Sequence, residues 1–253
     1  MKSGPDRPWI LRPRPQPAAV LRLVCFPYAG GGASVFRTWP DGLPANVEVW
    51  AVELPGRETR SRDRLLYARS ELVAQLADAV APQLQAPFVL YGHSLGAVIA
   101  FHFARELRRR GCTAPAHLFV SGRQAPQLAE PAPMHGLPDA QLLDRLHRLG
   151  GIPDAVLAEP ELVAYFLPLL RADISVVEAE GYVDEPPLSC PITALGGLAD
   201  DKAGGAELDA WAAQTRAGFA REMFPGGHFF IQTSRAAFLG SLARRLTHVT
   251  AAL

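Results

Sequence analysis

Cysteine is scarce in this chain of 253 residues: Cys25, Cys112 and Cys190 are the only three. Their odd number and wide spacing suggest neither a disulfide framework nor a zinc site, which suits a reducing compartment and a cytoplasmic location. Net charge is missing as well. The 25 Lys and Arg residues balance 25 Asp and Glu, so there is no electrostatic reason to expect nucleic acid or an anionic membrane as a partner. Long apolar runs are also lacking. The first, Ala18 to Phe26, follows a Pro- and Arg-rich start and is too short and interrupted for a signal or membrane segment. No internal repeat is present. The length allows one large core, and a single domain over residues 1–253 with one insertion fits better than two domains.

What the chain does contain is an alternation of element types. Strand-like runs at Leu21 to Phe26, Val47 to Val52, Phe88 to Tyr91, His117 to Ser121, Ile192 to Leu195 and Phe219 to Phe224 are separated by helical patterns such as Leu72, Val73, Leu76, Ala79, Val80 and Leu84. Such alternation predicts an α/β fold with a mostly parallel, doubly wound sheet. It breaks over residues 125–184, where Leu142, Leu143, Leu146 and Leu149, then Leu162, Val163, Phe166, Leu167, Leu169 and Leu170, give two helical patterns and no strand. A helical insertion at that point is expected to lie over the site as a lid. Phe166 and Leu170 are the expected groove positions, and Leu146 the expected packing position.

The most specific motif is Gly92-His93-Ser94-Leu95-Gly96, directly after Phe88-Val89-Leu90 and directly before the helix-like Ala97 to Leu107. A Gly-x-Ser-x-Gly turn between strand and helix holds a serine Oγ above a sheet as a nucleophile, and the glycines allow the strained turn and the close approach of strand and helix. Serine needs a base, and the base needs an orienting group. In this fold class the order is serine, acid, histidine. His228, in Pro225-Gly226-Gly227-His228-Phe229, is the expected base, whereas His248 lies near the end of a terminal helix. The acid is expected on the loop after Ile192 to Gly196, where Asp200 and Asp201 compete; Asp200 is preferred, with Asp201-Lys202 read as a solvated pair. Asp184 and Asp209 are poorer placed.

An oxyanion requires two donors, one from the amide after the nucleophile, Leu95, and one from a loop after an early strand. Pro27-Tyr28-Ala29-Gly30-Gly31-Gly32 is that loop, with Ala29 as the second donor; it lacks the spacing of a nucleotide phosphate cradle. Two basic stretches have plainer readings. Arg108-Arg109-Arg110 complements a helix C-terminus, and Arg57, Arg60, Arg62 and Arg64, beside Glu58 and Asp63, read as a solvated loop, with the docking of an acidic partner as the alternative.

With these residues in place the chain resembles the type II thioesterases, editing enzymes of polyketide and nonribosomal peptide assembly lines, with the α/β-hydrolase fold. The likeness is carried by Leu23-Val24-Cys25-Phe26-Pro27-Tyr28-Ala29-Gly30-Gly31, Leu54-Pro55-Gly56-Arg57, Gly92-His93-Ser94-Leu95-Gly96-Ala97 and Ser121-Gly122-Arg123-Gln124-Ala125-Pro126. Further on come Pro168-Leu169-Leu170-Arg171-Ala172-Asp173, Ala194-Leu195-Gly196-Gly197 with Asp200, and Gly226-Gly227-His228-Phe229-Phe230. Departures are leucine at 95, where methionine is common, tyrosine at 28, where histidine is common, and the doubled acid. The resemblance implies hydrolysis of acyl thioesters on acyl or peptidyl carrier proteins, by a monomer without cofactor or metal, the phosphopantetheine arm belonging to the substrate. A small-molecule esterase or lipase of the same fold is the alternative; a non-catalytic binding module has no use for all three residues.

Overall fold

The computed structural model describes residues 8–85 and 87–253. Strands β1 (Ile10–Leu11), β2 (Leu21–Phe26), β3 (Val47–Val52), β4 (Phe88–His93), β5 (His117–Ser121), β6 (Ile192–Gly197) and β7 (Phe219–Phe224) form one sheet in the order β1-β3-β2-β4-β5-β6-β7. Only β1 runs antiparallel to its neighbour; the other pairings are parallel. This short edge strand, which the sequence reading does not include, has two residues to pair, too few for a visible alternation.

Both faces of the sheet are covered at its centre, which is why β4, β5 and β6 read as nearly continuous apolar runs. Val24, Phe26, Trp50, Val52, Phe88 and Leu90 point into one core with helices α1 (Arg69–Val80) and α2 (Leu95–Arg109). Leu21, Leu23, Cys25, Val47, Val49, Val89 and Tyr91 point into the other. The period of two in β2 to β6 therefore sorts side chains between two cores rather than between core and solvent, while the edge strand β7 stays mostly half-buried, with Arg221 exposed. Burial also raises the pKa of both Cys25 and Cys190, the latter to about 11, so these thiols stay protonated and behave as small apolar groups.

Between β5 and β6 lie α3 (Asp139–Arg148), α4 (Asp154–Leu157) and α5 (Pro160–Glu178), and no strand is formed among the described residues from 125 to 184. Met134, Leu142, Leu146, Ile152, Leu170 and Ile174 form a third, smaller core. Helix α5 has two unlike halves. Its N-terminal part up to Pro168 is half-buried or exposed, whereas Leu169, Leu170, Ala172, Asp173, Ile174 and Val176 are buried. Pro168 removes one backbone donor at the junction. The chain closes with α6 (Gly205–Asp209), α7 (Phe230–Thr233) and α8 (Arg235–Ala251), whose Phe238, Leu239, Leu242 and Leu246 complete the second core.

At the end of α2, Arg108 and Arg109 do more than face the helix dipole. Both bind the Glu185 carboxylate, at 2.7 and 2.8 Å, and so fasten the segment leading into β6.

Candidate active site

The connection leaving β2 goes to β3 on one side of the sheet, and the connection leaving β4 goes to β5 on the other. The carboxyl ends of β2 and β4 thus flank a topological switch point, where open α/β sheets leave a crevice. The Pro27–Gly32 loop follows β2, and Ser94 follows β4.

Ser94 has φ 54° and ψ −112°, a conformation that costs a non-glycine residue about 1–3 kcal/mol. Its N–H donates to Ser121 O at 2.8 Å. The flanking glycines are sterically required. A Cβ on Gly92 would lie 2.0 Å from Gly96 O, and one on Gly96 would lie 2.1 Å from Phe26 O, so strand, turn and helix pack backbone to backbone.

His228 is buried, and its Nδ1 lies 2.9 Å from Asp200 Oδ2. Asp200 is buried too; its other oxygen, Oδ1, accepts the Lys202 N–H at 2.9 Å. Asp201 is exposed. The loop therefore turns one carboxylate inward and the other outward, which the two adjacent letters do not reveal. His248 sits on α8 with its Nδ1 bonded to Arg244 O at 2.7 Å. Ser94 and His228 line the same cavity, but no hydrogen bond between their side chains is present among the described residues. Such bonds are often long in unliganded sites.

His93 stands next to Ser94 and is buried with Nδ1 2.9 Å from Ser121 Oγ. Burial, and secondly the nearby His228, push its pKa well below the usual histidine value, so this imidazole is neutral.

In the Pro27–Gly32 loop, the amides are differently occupied. Gly31 N–H donates to Tyr28 O at 2.9 Å and Gly30 N–H to Asp173 Oδ2 at 2.8 Å. The Ala29 N–H has no hydrogen-bond partner among the described residues, nor does the N–H of Leu95. Leu95 opens α2, where backbone donors lack intrahelical partners and the dipole favours negative charge. Both residues line the cavity that Ser94 and His228 line.

This cavity, of about 40 Å³, is walled by Leu146, Leu149, Ile152, Leu170 and Ile174 from the helical segment. A larger groove of about 480 Å³ adjoins it and shares Tyr28, Gly151, Ile152, Leu170 and Phe229. Phe166 lines only the larger groove, and Leu170 lines both spaces. Leu146, expected as packing, is a wall residue of the smaller cavity while still buried in the third core. Leu142, fully buried and on neither wall, is the packing residue of that helix.

Two charge readings are corrected. Arg57 and Arg60 do not belong to a solvated stretch: both are buried, and only Arg62 and Arg64 face solvent. Arg57 forms a bidentate pair with Asp173, and Arg60 lies 3.8 Å from the Trp9 ring centroid and 2.7 Å from Asp63 Oδ2. Lys202 likewise is not half of a solvated pair. Its Nζ lies 3.1 Å from Glu130 Oε1, and its side chain borders the cavity. Charge runs in a sequence carry no information about burial, so these partners were hidden. Gly56, with φ 83°, turns the chain just before Arg57 and was the available signal of a constrained site.

Residues 21–248 match the model of the thioesterase domain family. The chain is 41% identical to the gramicidin S biosynthesis protein GrsT of Aneurinibacillus migulanus, over 96% of this chain and 95% of that protein. Among solved structures, the RedJ thioesterase from the prodiginine biosynthetic pathway in Streptomyces coelicolor is similar with a TM-score of 0.86, at 40% identity and 96% coverage of both chains. The type II thioesterase BorB from the borrelidin biosynthetic cluster is similar with a TM-score of 0.84, at 35% identity, covering 96% of this chain and all of that one.

Proposed function

We propose, for a chain that belongs to the thioesterase family and has the α/β-hydrolase fold, that it clears stalled or aberrant acyl groups from the carrier proteins of a polyketide or nonribosomal peptide assembly line. The observation that carries this reading is the convergence on one cavity of Ser94, the His228–Asp200 pair and the unengaged amides of Ala29 and Leu95. Ser94 Oγ attacks the thioester carbonyl while His228 takes its proton. Asp200 holds the imidazole tautomer that presents Nε2 to the serine and stabilises the imidazolium. The Ala29 and Leu95 N–H groups receive the oxyanion. Collapse expels the pantetheine thiol and leaves an acyl-serine. Water, activated by His228, then hydrolyses this ester and returns the serine.

The carrier protein delivers its acyl group on the phosphopantetheine arm, so the enzyme itself uses no cofactor and no metal. Among the described residues no helix is long and apolar enough to cross a membrane. A cytoplasmic monomer meeting its carrier protein in solution is the arrangement that fits this role.

Matched acyl groups presented on a phosphopantetheinylated carrier protein and as simple oxygen esters test the assignment. The carrier-bound thioester is expected to show kcat/KM at least about 10-fold higher, equivalent to about 1.4 kcal/mol of added transition-state binding through the arm. Equal or faster turnover of the oxygen ester would make this a small-molecule esterase.

The helical insertion at 125–184 acts in this reading as the lid that selects the acyl chain, because its side chains wall the cavity. Leu170→Trp is expected to change the ratio of kcat/KM for short against long acyl groups by about 10-fold or more, since one methylene in an apolar pocket is worth about 1–3 kcal/mol. Leu142→Ala should instead cost about 2–5 kcal/mol of stability with the ratio unchanged. A panel of acyl lengths on one carrier protein checks both. If neither Leu170 nor Phe166 variants alter the ratio, selectivity resides in the carrier protein.

A further inference from the structure

Arg57 and Asp173 lie 116 residues apart in the chain and meet in a buried ion pair. Arg57 Nη1 and Nη2 donate to Asp173 Oδ2 and Oδ1 at 3.0 and 2.7 Å. The pair's remaining bonds end on the loop after β2. Arg57 Nη1 donates to Gly31 O at 2.9 Å, and Asp173 Oδ2 accepts the Gly30 N–H at 2.8 Å. Burying two charges is weak evidence for stability, because an apolar pair of the same volume often serves as well. Location is therefore the informative fact. Asp173 sits on α5 one turn after Leu170, whose Cδ2 would be 3.1 Å from a Cβ on Gly30, so one face of this helix presses on the loop at two points.

Of the loop's amides, Gly30 is held by the carboxylate and Gly31 by Tyr28 O, whereas the Ala29 N–H has no partner among the described residues, and Ala29 lines the cavity together with Ser94. Gly30 has φ 77°, and glycine in such a turn has access to several alternative peptide orientations. The ion pair selects one of them by binding both the N–H of Gly30 and the C=O of Gly31.

We propose that Arg57 and Asp173 are positioning residues of the oxyanion hole, holding the Gly30–Gly31 turn so that the Ala29 N–H faces the cavity and tying that orientation to the buried half of α5. This rests on the reading of Ser94 as nucleophile and Ala29 as donor. Asp173 lines neither space, whereas Arg57 also borders the larger groove, so a loss of ground-state contact there is what the affinity for an amide analogue detects.

The paired replacement Arg57→Met with Asp173→Leu leaves no orphaned charge and frees the Gly30 N–H. Four quantities are to be measured: Tm, kcat and KM for one acyl thioester, the inhibition constant of an acyl trifluoromethyl ketone of the same chain length, and the dissociation constant of the matching amide analogue. Addition of Ser94 Oγ to the ketone carbon gives a hemiketal alkoxide, with the serine proton on His228, and so occupies the oxyanion hole; the amide occupies only the ground-state site. Loss of an oxyanion donor costs about 10²–10³ in kcat, and misplacing one should cost about 10- to 100-fold. The expected result is that kcat and ketone affinity fall together by that factor, with Tm and amide affinity little changed. Arg57→Lys, which keeps the charge and loses the fork, should give a smaller loss in the same two quantities and serves alone if the double variant does not fold. A folded variant with unchanged kcat and unchanged ketone affinity overturns the proposal, as does a fall in kcat without a fall in ketone affinity. Ser94→Ala is measured alongside: if it stays active, the nucleophile assignment has failed, whereas an inactive Ser94→Ala with an unaffected pair variant rejects the positioning role alone.

Discussion

Ser94→Ala lowers thioester hydrolysis by about three orders of magnitude or more while changing stability by less than about 1 kcal/mol. The serine side chain makes no hydrogen bond among the described residues, and alanine fills the turn equally well, so little besides the nucleophile is lost. The residual rate would come from the oxyanion donors and substrate binding alone. His228→Ala should match it, since a serine without its base is no better than a serine removed. His248→Ala, on the exposed end of α8, should retain full turnover. Steady-state kinetics with an acyl carrier protein, together with labelling by a serine-directed phosphonate, checks all three. Near-wild-type turnover by Ser94→Ala would remove the serine from the mechanism.

Asp200→Asn carries the second large effect. Asp200 is buried against His228 Nδ1 and has its second oxygen occupied by the Lys202 N–H. An amide at this position can donate to Nδ1 and so favour the tautomer with its proton on Nε2, the one unable to accept from Ser94; the expected loss in kcat is about 10³- to 10⁴-fold. Asp201→Asn, at an exposed position, should change kcat by less than about twofold. Comparing kcat for the two variants at equal folded concentration decides the matter. The reverse ranking would transfer the role to Asp201, and equal small losses would mean that the acid comes from another strand.

These two sites differ in how far the sequence alone leads. Ser94 is legible because everything that makes it distinctive is local: a strand, two glycines that a Cβ would drive into backbone at 2.0 and 2.1 Å, and a helix, all within one contiguous stretch. His228 follows from chain order and its glycine loop. For the acid, the sequence narrowed the choice to two neighbours and preferred Asp200 on the usual run of a strand-end loop. Which carboxylate turns toward His228 depends on the path of that loop across the ends of β6 and β7, and the packing there sets the outcome. A Cβ on Gly197 would lie 2.2 Å from Gly227 O, so the acid loop and the histidine loop touch backbone to backbone.

The sequence by itself determined the alternation of strands and helices, the parallel sheet, the strand-free helical stretch and the family, because periodicity and tight-turn chemistry are properties of neighbouring residues. Only the tertiary structure decided the rest. It separated Arg57 and Arg60 from the exposed Arg62 and Arg64, brought Lys202 to Glu130, placed Leu146 on a cavity wall and joined Arg57 to Asp173 beneath the loop after β2. The reason is physical: a charged side chain is tolerated inside only where a partner removes the cost of leaving water, and that partner, here 116 residues away, is supplied by the packing of the whole chain rather than by the letters beside it.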